Sequence, residues 1–308
     1  MSDTPPNTKD DRINVRYAEV GGLRLAYETF GDPQARPLLL IMGLASQMLI
    51  WDEVFCQQLA DRGHYVIRFD NRDVGLSSRC SELGRPNIFR ALFDARLGRP
   101  VRVAYTLDDF ADDTVGLLDA LGIERAHLVG ASMGGMIAQV TATRHPERVA
   151  SLTSAMSTTG NPRLPLPQWK AIRVLIKRPP STRDAFIDYT TEMWRTIGSP
   201  GYPFETERVR QRSARIFDRG LPGWGSRRQL TAVIAQGDRR PQLAGLRLPS
   251  LILHGRADPL VPVAAGIDTA ESIPGAELML LDGVGHNLPK PVWPQMIDAL
   301  TELTERAE

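Results

Sequence analysis

"LVGASMGG" (128–135) ends a run of apolar and β-branched residues and opens a helix-forming one, with Ser132 between Gly130 and Gly134. The pattern G-x-S-x-G is by itself a common turn composition, because Ser and Gly both favour turns. Its context adds weight. A strand stopping at Ala131 and a helix starting at Met133 leave the serine on a sharp strand-to-helix turn. Small neighbours on both sides let the backbone close up there and lift the hydroxyl off the sheet. The turn also places the N–H of Met133 at a helix N-terminus, where unpaired donors and the helix dipole favour developing negative charge. Ser132 is therefore the candidate nucleophile, Gly130 and Gly134 permit the turn, and Met133 offers a candidate oxyanion donor.

Working outward, short apolar runs recur at 37–43, 64–70, 126–132, 151–157, 250–256 and 276–283. They lack polar alternation, as strands covered on both faces do. Between them lie segments with apolar residues at three- and four-residue spacing: Trp51 to Arg62, Leu107 to Leu121, Met133 to Arg144, Pro262 to Ser272 and Val292 to Arg306. This alternation predicts an α/β fold with a mostly parallel central sheet and helices on both faces. "NVRYAEV" (14–20) and "LRLAYETF" (23–30) flank Gly21 and Gly22 and read as an opening antiparallel hairpin. Residues 1–13, rich in Pro, Asp and Asn, read as a tail, and 14–157 with 246–308 as the core. Residues 158–245 contain no strand-like run and read as a helical cap inserted before the penultimate strand. That stretch holds 16 basic and seven acidic residues, a net +9 in a chain whose total is +1. Either its arginines point outward into solvent, or some face the cleft and favour anionic substrates, with Trp169, Trp194 and Trp224 as apolar walls.

A chain of 308 residues with 42% hydrophobic and 24% charged residues can bury a large core, which excludes a mainly disordered protein. The balance of 37 basic and 36 acidic residues gives no global pull toward nucleic acid or anionic membrane, so neither partner is expected. Cys56 and Cys80 show no zinc-site or disulfide spacing and read as free thiols. The polar start of the chain has no apolar leader, and no run approaches the ~18 apolar residues of a membrane span. The expected location is the cytoplasm. Oligomeric state leaves no mark in the sequence.

A serine hydroxyl needs a base within hydrogen-bond reach, normally a histidine oriented by a carboxylate. Of five histidines, His64, His127 and His254 lie in or at strands, and His145 precedes Pro146 at a helix end. His286 differs, standing in "LLDGVGHNLPKP" (280–291) directly after the last strand, in a glycine-rich loop that lets its ring swing over the sheet edge. "HGRADPLVP" (254–262) puts Asp258 just past the preceding strand, where open α/β sheets bind ligands. An Asx turn before Pro259 is the plainer use of that carboxylate. Asp282 is a rival acid four residues from His286, and Asp70 and Asp73 suit turn formation better.

Taken together these segments resemble the α/β-hydrolase superfamily, from about Val15 to Leu303. "LLLIMGLASQMLIW" (38–51) resembles its oxyanion loop, "FDNRDVGLSS" (69–78) its D-x-R-G-x-G-x-S turn, "VGASMGG" its nucleophile elbow, "GRADPLVP" its acid loop and "GVGH" its histidine loop. The order Ser132, Asp258, His286 is that superfamily's order of nucleophile, acid and base. With "YTLDDFADD" (105–113), the pattern is most similar to bacterial aclacinomycin methylesterase-like esterases. The resemblance implies a serine hydrolase that cleaves a small-molecule carboxylic ester, such as a methyl ester, through an acyl-enzyme. It implies backbone donors at Leu44 and Met133 and needs neither metal nor organic cofactor. Carbon–carbon bond hydrolases, lactonases and cofactor-free perhydrolases use the same scaffold, and a ligand receptor could retain it. Dehalogenases and epoxide hydrolases usually carry an aspartate where this chain has Ser132. Met42 replaces the usual histidine of the oxyanion loop, and Asp73 stands where the turn pattern has glycine.

Overall fold

Runs of Leu, Ile and Val form the centre of the molecule because, packed between two helical layers, they have no polar face to present. The computed structural model describes residues 15–221 and 223–307, so the tail expected at 1–13 lies outside the described residues. Among the described residues eight strands form one sheet: β1 (Arg16–Val20), β2 (Leu23–Phe30), β3 (Arg36–Ile41), β4 (His64–Phe69), β5 (Ala126–Ala131), β6 (Val149–Ala155), β7 (Ser250–Gly255) and β8 (Glu277–Leu281). Their spatial order is β1-β2-β4-β3-β5-β6-β7-β8. The expected hairpin is present, with Val20 opposite Leu23, and β2 pairs antiparallel with β4. All pairings from β4 through β3 to β8 are parallel. Strands β4 to β7 are buried at every position, whereas the edge strand β1 alternates.

The helices are α1 (Glu53–Ala60), α2 (Ile88–Arg96), α3 (Leu107–Ala120), α4 (Met133–Arg144), α5 (Trp169–Ile176), α6 (Arg183–Ile197), α7 (Thr206–Asp218), α8 (Gly225–Gln236), α9 (Arg240–Leu243), α10 (Val263–Ser272) and α11 (Trp293–Arg306). Two apolar clusters sandwich the sheet. One packs Phe110, Leu117 and Ile137 of α3 and α4 against Leu39, Ile67 and Leu128. The other packs Phe55 and Leu59 of α1 with Met296 and Leu300 of α11 against Leu38, Leu40 and Leu253. Each buried Leu or Phe contributes about 1.5–3 kcal/mol of burial free energy, so this double core outweighs any single cap or turn.

Helices α5 to α9 all fall between β6 and β7, the insertion expected before the penultimate strand. The last of them, α9, packs Leu243 into the core cluster with α3 and α4. Helix α2 is absent from the periodicity reading, because Phe89, Leu92, Phe93 and Leu97 face solvent while Ala91 and Asp94 are buried. Its apolar positions therefore do not trace a core-facing stripe. Among the described residues no helix is long and apolar enough to cross a membrane.

Candidate active site

Ser132 sits between β5 and α4 with φ 56° and ψ −121°, a backbone conformation that L-residues rarely adopt. Close approach is the reason the turn needs glycine on both sides. A Cβ on Gly130 would lie 2.1 Å from the Gly134 carbonyl oxygen, and one on Gly134 would lie 2.1 Å from that of Ile41. The Ser132 N–H donates to Ala155 O at 2.8 Å, and Ser157 Oγ donates to Ser132 O at 2.8 Å, so β6 holds the strained turn. Met133 is the first residue of α4, and its N–H precedes any intrahelical acceptor.

His286 follows β8, and its N–H donates to Ile197 O, at the end of α6, at 2.7 Å. Its Nδ1 lies 2.7 Å from Asp258 Oδ2, and its Nε2 lies 3.1 Å from Ser132 Oγ. With a carboxylate accepting at Nδ1, that nitrogen carries the proton and Nε2 is left as acceptor for the serine hydroxyl. The two Asp258 oxygens have different partners. Oδ1 accepts the N–H groups of Leu260 and Val261 at 2.8 and 2.9 Å, and Oδ2 faces the imidazole. The rival Asp282 lies in solvent and pairs with Arg256 at 2.8 Å. His254 lies beneath the pair, with Nε2 2.8 Å from Val261 O, and burial pushes its pKa down, which keeps it neutral. Among the described residues no three His, Cys, Asp or Glu side chains converge as a metal site.

The loop after β3 runs against the serine. A Cβ on Gly43 would come within 3.0 Å of Ser132 Cβ and 3.5 Å of its Oγ, and the next residue, Leu44, lines the same cavity as Ser132. Two side chains hold this loop: Asn71 Nδ2 donates to Met42 O at 2.9 Å, and Gln229 Oε1 accepts from Ala45 N at 2.8 Å. Gln229 belongs to α8 of the insertion. The fourth-strand turn is likewise tied to that insertion, since Arg219 reaches Asp70 at 2.6 Å and Arg228 reaches Asp73 at 2.7 Å, all four groups being buried. Nothing in the local pattern around Arg219, Arg228 or Gln229 marks these contacts. Their partners lie about 150 residues or more away in the chain.

Asp73 explains the departure from glycine in the turn. It adopts φ 70°, where glycine is the residue without strain, and its carboxylate offsets that cost. Besides Arg228, it accepts the Tyr105 hydroxyl at 2.7 Å and the Cys80 N–H at 2.9 Å. Burial pushes its pKa up, but the hydrogen bonds of Arg228, Tyr105 and Cys80 outweigh that and hold it below the usual carboxylate range.

Ser132 and His286 open into a cavity of about 510 Å³, a size typical of small-molecule sites. Its walls are largely apolar: Met42, Leu44, Met133 and Met156 from the core, and Leu164 and Trp194 from the insertion are among them. The expectation for three tryptophans needs correction. Trp194 lines the cavity, but Trp169 starts α5 with 68% of its surface exposed, and Trp224 lies outside the lining with the guanidinium groups of Arg85 and Arg227 over its ring. Among the described residues, Arg208 and Arg212 are the basic residues of the insertion that line the cavity.

Comparison with known proteins places these observations. The chain matches the family described as the α/β hydrolase fold over residues 36–290. It is 30% identical over 301 residues to a rhodomycin D methylesterase of Streptomyces sp. strain C5, covering 91% of this chain and 94% of that protein. It is 32% identical over 174 residues to a 2-hydroxy-6-oxononadienedioate/2-hydroxy-6-oxononatrienedioate hydrolase of Burkholderia vietnamiensis, covering 56% of this chain and 59% of that one. Among solved structures, a meta-cleavage product hydrolase of Pseudomonas fluorescens IP01 superposes with a TM-score of 0.75 at 20% identity, over 95% of this chain and 98% of the other.

Proposed function

The chain belongs to the α/β-hydrolase fold family, and we propose that it hydrolyses a small-molecule ester, or a related bond to an acyl carbon, through an acyl-enzyme on Ser132. The observation that carries this reading is the continuous run from Asp258 through His286 to Ser132, at 2.7 and 3.1 Å, opening onto an apolar cavity. His286 Nε2 takes the proton as Ser132 Oγ adds to the acyl carbon. Asp258 holds the imidazole in the required tautomer and stabilises the imidazolium. The N–H groups of Met133 and Leu44 receive the oxyanion, a contribution of about 3 kcal/mol per donor. His286 then protonates the leaving group, and water, deprotonated by the same nitrogen, releases the acid and regenerates Ser132. No step calls on a metal or an organic cofactor.

Ester cleavage is favoured by the methylesterase relative, which matches nearly end to end. A second reading is hydrolysis of a carbon–carbon bond or a lactone; the dienedioate hydrolase relative, slightly more identical over a shorter span, supports a hydrolase substrate other than a methyl ester. Either reading uses the same serine. A fluorophosphonate should label the protein, and Ser132→Ala should abolish both labelling and turnover. Undiminished labelling of that variant would remove Ser132 from its role. A panel of methyl esters, lactones and vinylogous diketones then distinguishes the two readings by which class turns over.

A further inference from the structure

Helix α7 presents Arg208 and Arg212 four residues apart, so both lie on one face, and both line the cavity. Their surroundings differ. Arg208 is fully engaged: Nε and Nη2 reach Asp52 Oδ2 at 3.0 and 2.8 Å, Nη1 reaches Glu205 Oε2 at 2.5 Å, and the group rests over the Trp293 ring. Glu205 is shared further with Lys290 at 3.5 Å. Arg212 has no such partner among the described residues, and its Nε is shut off from solvent without a hydrogen bond. One face of its guanidinium lies over the Trp194 ring, 5.5 Å from the centroid. The in-plane N–H edges are thus the part left for a ligand.

The carboxylates of the cavity lining, Asp52 and Glu205, both hydrogen-bond Arg208, and neither hydrogen-bonds Arg212. Burial, with the repulsion of Arg208, lowers the Arg212 pKa to about 10 against the attraction of Asp52 and Glu205, so the group still carries its proton at neutral pH. A buried guanidinium without a hydrogen-bonded counter-ion is destabilising, and natural interiors pair such groups. The other walls are mostly apolar and supply no anion beyond those already engaged by Arg208.

We propose that Arg212 forms an anion subsite of this cavity, and that the substrate carries a free carboxylate, separate from the bond attacked at Ser132, which pairs with the Arg212 guanidinium. The planar fork of the guanidinium matches a carboxylate. Trp194 fixes the plane of the fork and supplies apolar contact for the carbon chain next to the carboxylate. This subsite rests on the reading of Ser132 as the reacting centre for its place in a reaction, but its binding can be measured without turnover.

The test is calorimetric titration of the intact wild-type protein with hexanoate and with the neutral isostere hexanamide, repeated with Arg212→Gln and Arg212→Lys. One charge-assisted contact in a dry site should favour hexanoate at least about tenfold. The preference should weaken with added salt, vanish in Arg212→Gln and return in part in Arg212→Lys, with thermal unfolding checking that each variant folds. Equal affinity in the wild type, no binding of either compound, or a preference that survives Arg212→Gln would overturn the subsite. If Ser132→Ala keeps its labelling while hexanoate still prefers Arg212, the reaction proposed above fails and the subsite stands.

Discussion

Asp73 and Arg228 meet across the boundary between the sheet edge and helix α8 as a bidentate pair, Nε to Oδ2 and Nη2 to Oδ1, each at 2.7 Å. Neither side chain exposes more than 3% of its surface. Such a pair contributes little over an apolar replacement of both partners, yet removing one strands a buried charge. Arg228→Met should therefore cost about 3–5 kcal/mol in urea unfolding. Combining it with Asp73→Asn should cost less than the two single losses added together, which a double-mutant cycle reads directly. Strict additivity would mean that the two groups do not act as a pair.

The same carboxylate gives stability a pH dependence of defined sign. Its folded pKa lies below the unfolded value of about 3.9, so folding favours the charged form. The resulting stabilisation is fully present above the unfolded pKa and is lost as pH falls through the folded one. Unfolding free energy measured from pH 6 down to pH 3 should thus fall more steeply for wild type than for Asp73→Asn. Parallel curves would assign the acid sensitivity to other groups, such as Asp52, whose pKa is also lowered through Arg208 against the effect of burial.

These long-range pairs also mark where sequence reading ends. The eight strands, the elbow at Ser132 and the loops carrying Asp258 and His286 are legible because each rests on a local pattern, an apolar run or a turn composition at a strand end. Trp169 and Trp224 were expected in the cavity because aromatic residues in a cap suit a pocket wall. Which face of a cap helix turns inward depends on its packing, and only Trp194 faces in. The net +9 of the insertion is likewise divided by tertiary contacts: Arg219 and Arg228 fasten it to the core, Arg183 and Arg210 pair with exposed Asp218 and Asp188, and Arg208 and Arg212 reach the cavity. Asp73 in place of glycine had no visible reason until Tyr105, Cys80 and Arg228 were found around its carboxylate.

Gln229 ties the insertion to the proposed oxyanion loop. Its Oε1 accepts the Ala45 N–H at 2.8 Å, and its Nε2 donates to Arg72 O at 2.8 Å, while Ala45 itself holds φ 55°. Gln229→Leu leaves that N–H without its acceptor and frees the segment carrying the Leu44 donor. A lost buried hydrogen bond is worth about 1–3 kcal/mol, so kcat should fall roughly tenfold or more, with KM little changed, if the loop positions the transition state. A change confined to KM would place Gln229 in substrate binding instead.

Asp282 lies four residues from His286 in sequence and Asp258 lies 28 away, yet Asp258 is the one that reaches it. Asp258→Asn would offer the imidazole an amide that favours the wrong tautomer, and the acylation rate should drop by about 10⁴ with little change in fold stability. Asp282→Asn removes only an exposed pair with Arg256 and should leave the rate nearly unchanged. Single-turnover acylation by a p-nitrophenyl ester measures both. A larger loss for Asp282→Asn would reverse the assignment of the acid.

Gly134 tests whether the elbow and the oxyanion loop are one packed unit. An added Cβ there would lie 2.1 Å from the Ile41 carbonyl oxygen and 2.6 Å from its carbon, both main-chain atoms of β3. No side chain can rotate away to relieve the contact, so α4 and β3 must separate. That displacement costs about 3 kcal/mol or more, and it moves Met133 away from the loop holding Leu44. Gly122→Ala is the matching control. Gly122 has φ 68° but nothing within 4 Å of an added Cβ, so only the left-handed backbone is penalised, by about 1 kcal/mol. Gly134→Ala should therefore show the larger fall in urea midpoint and lose most of its kcat even where it folds, while Gly122→Ala loses a little stability and keeps its kcat. Equal effects of the two substitutions would mean that the close approach of Gly134 to Ile41 does not hold the two proposed oxyanion donors together.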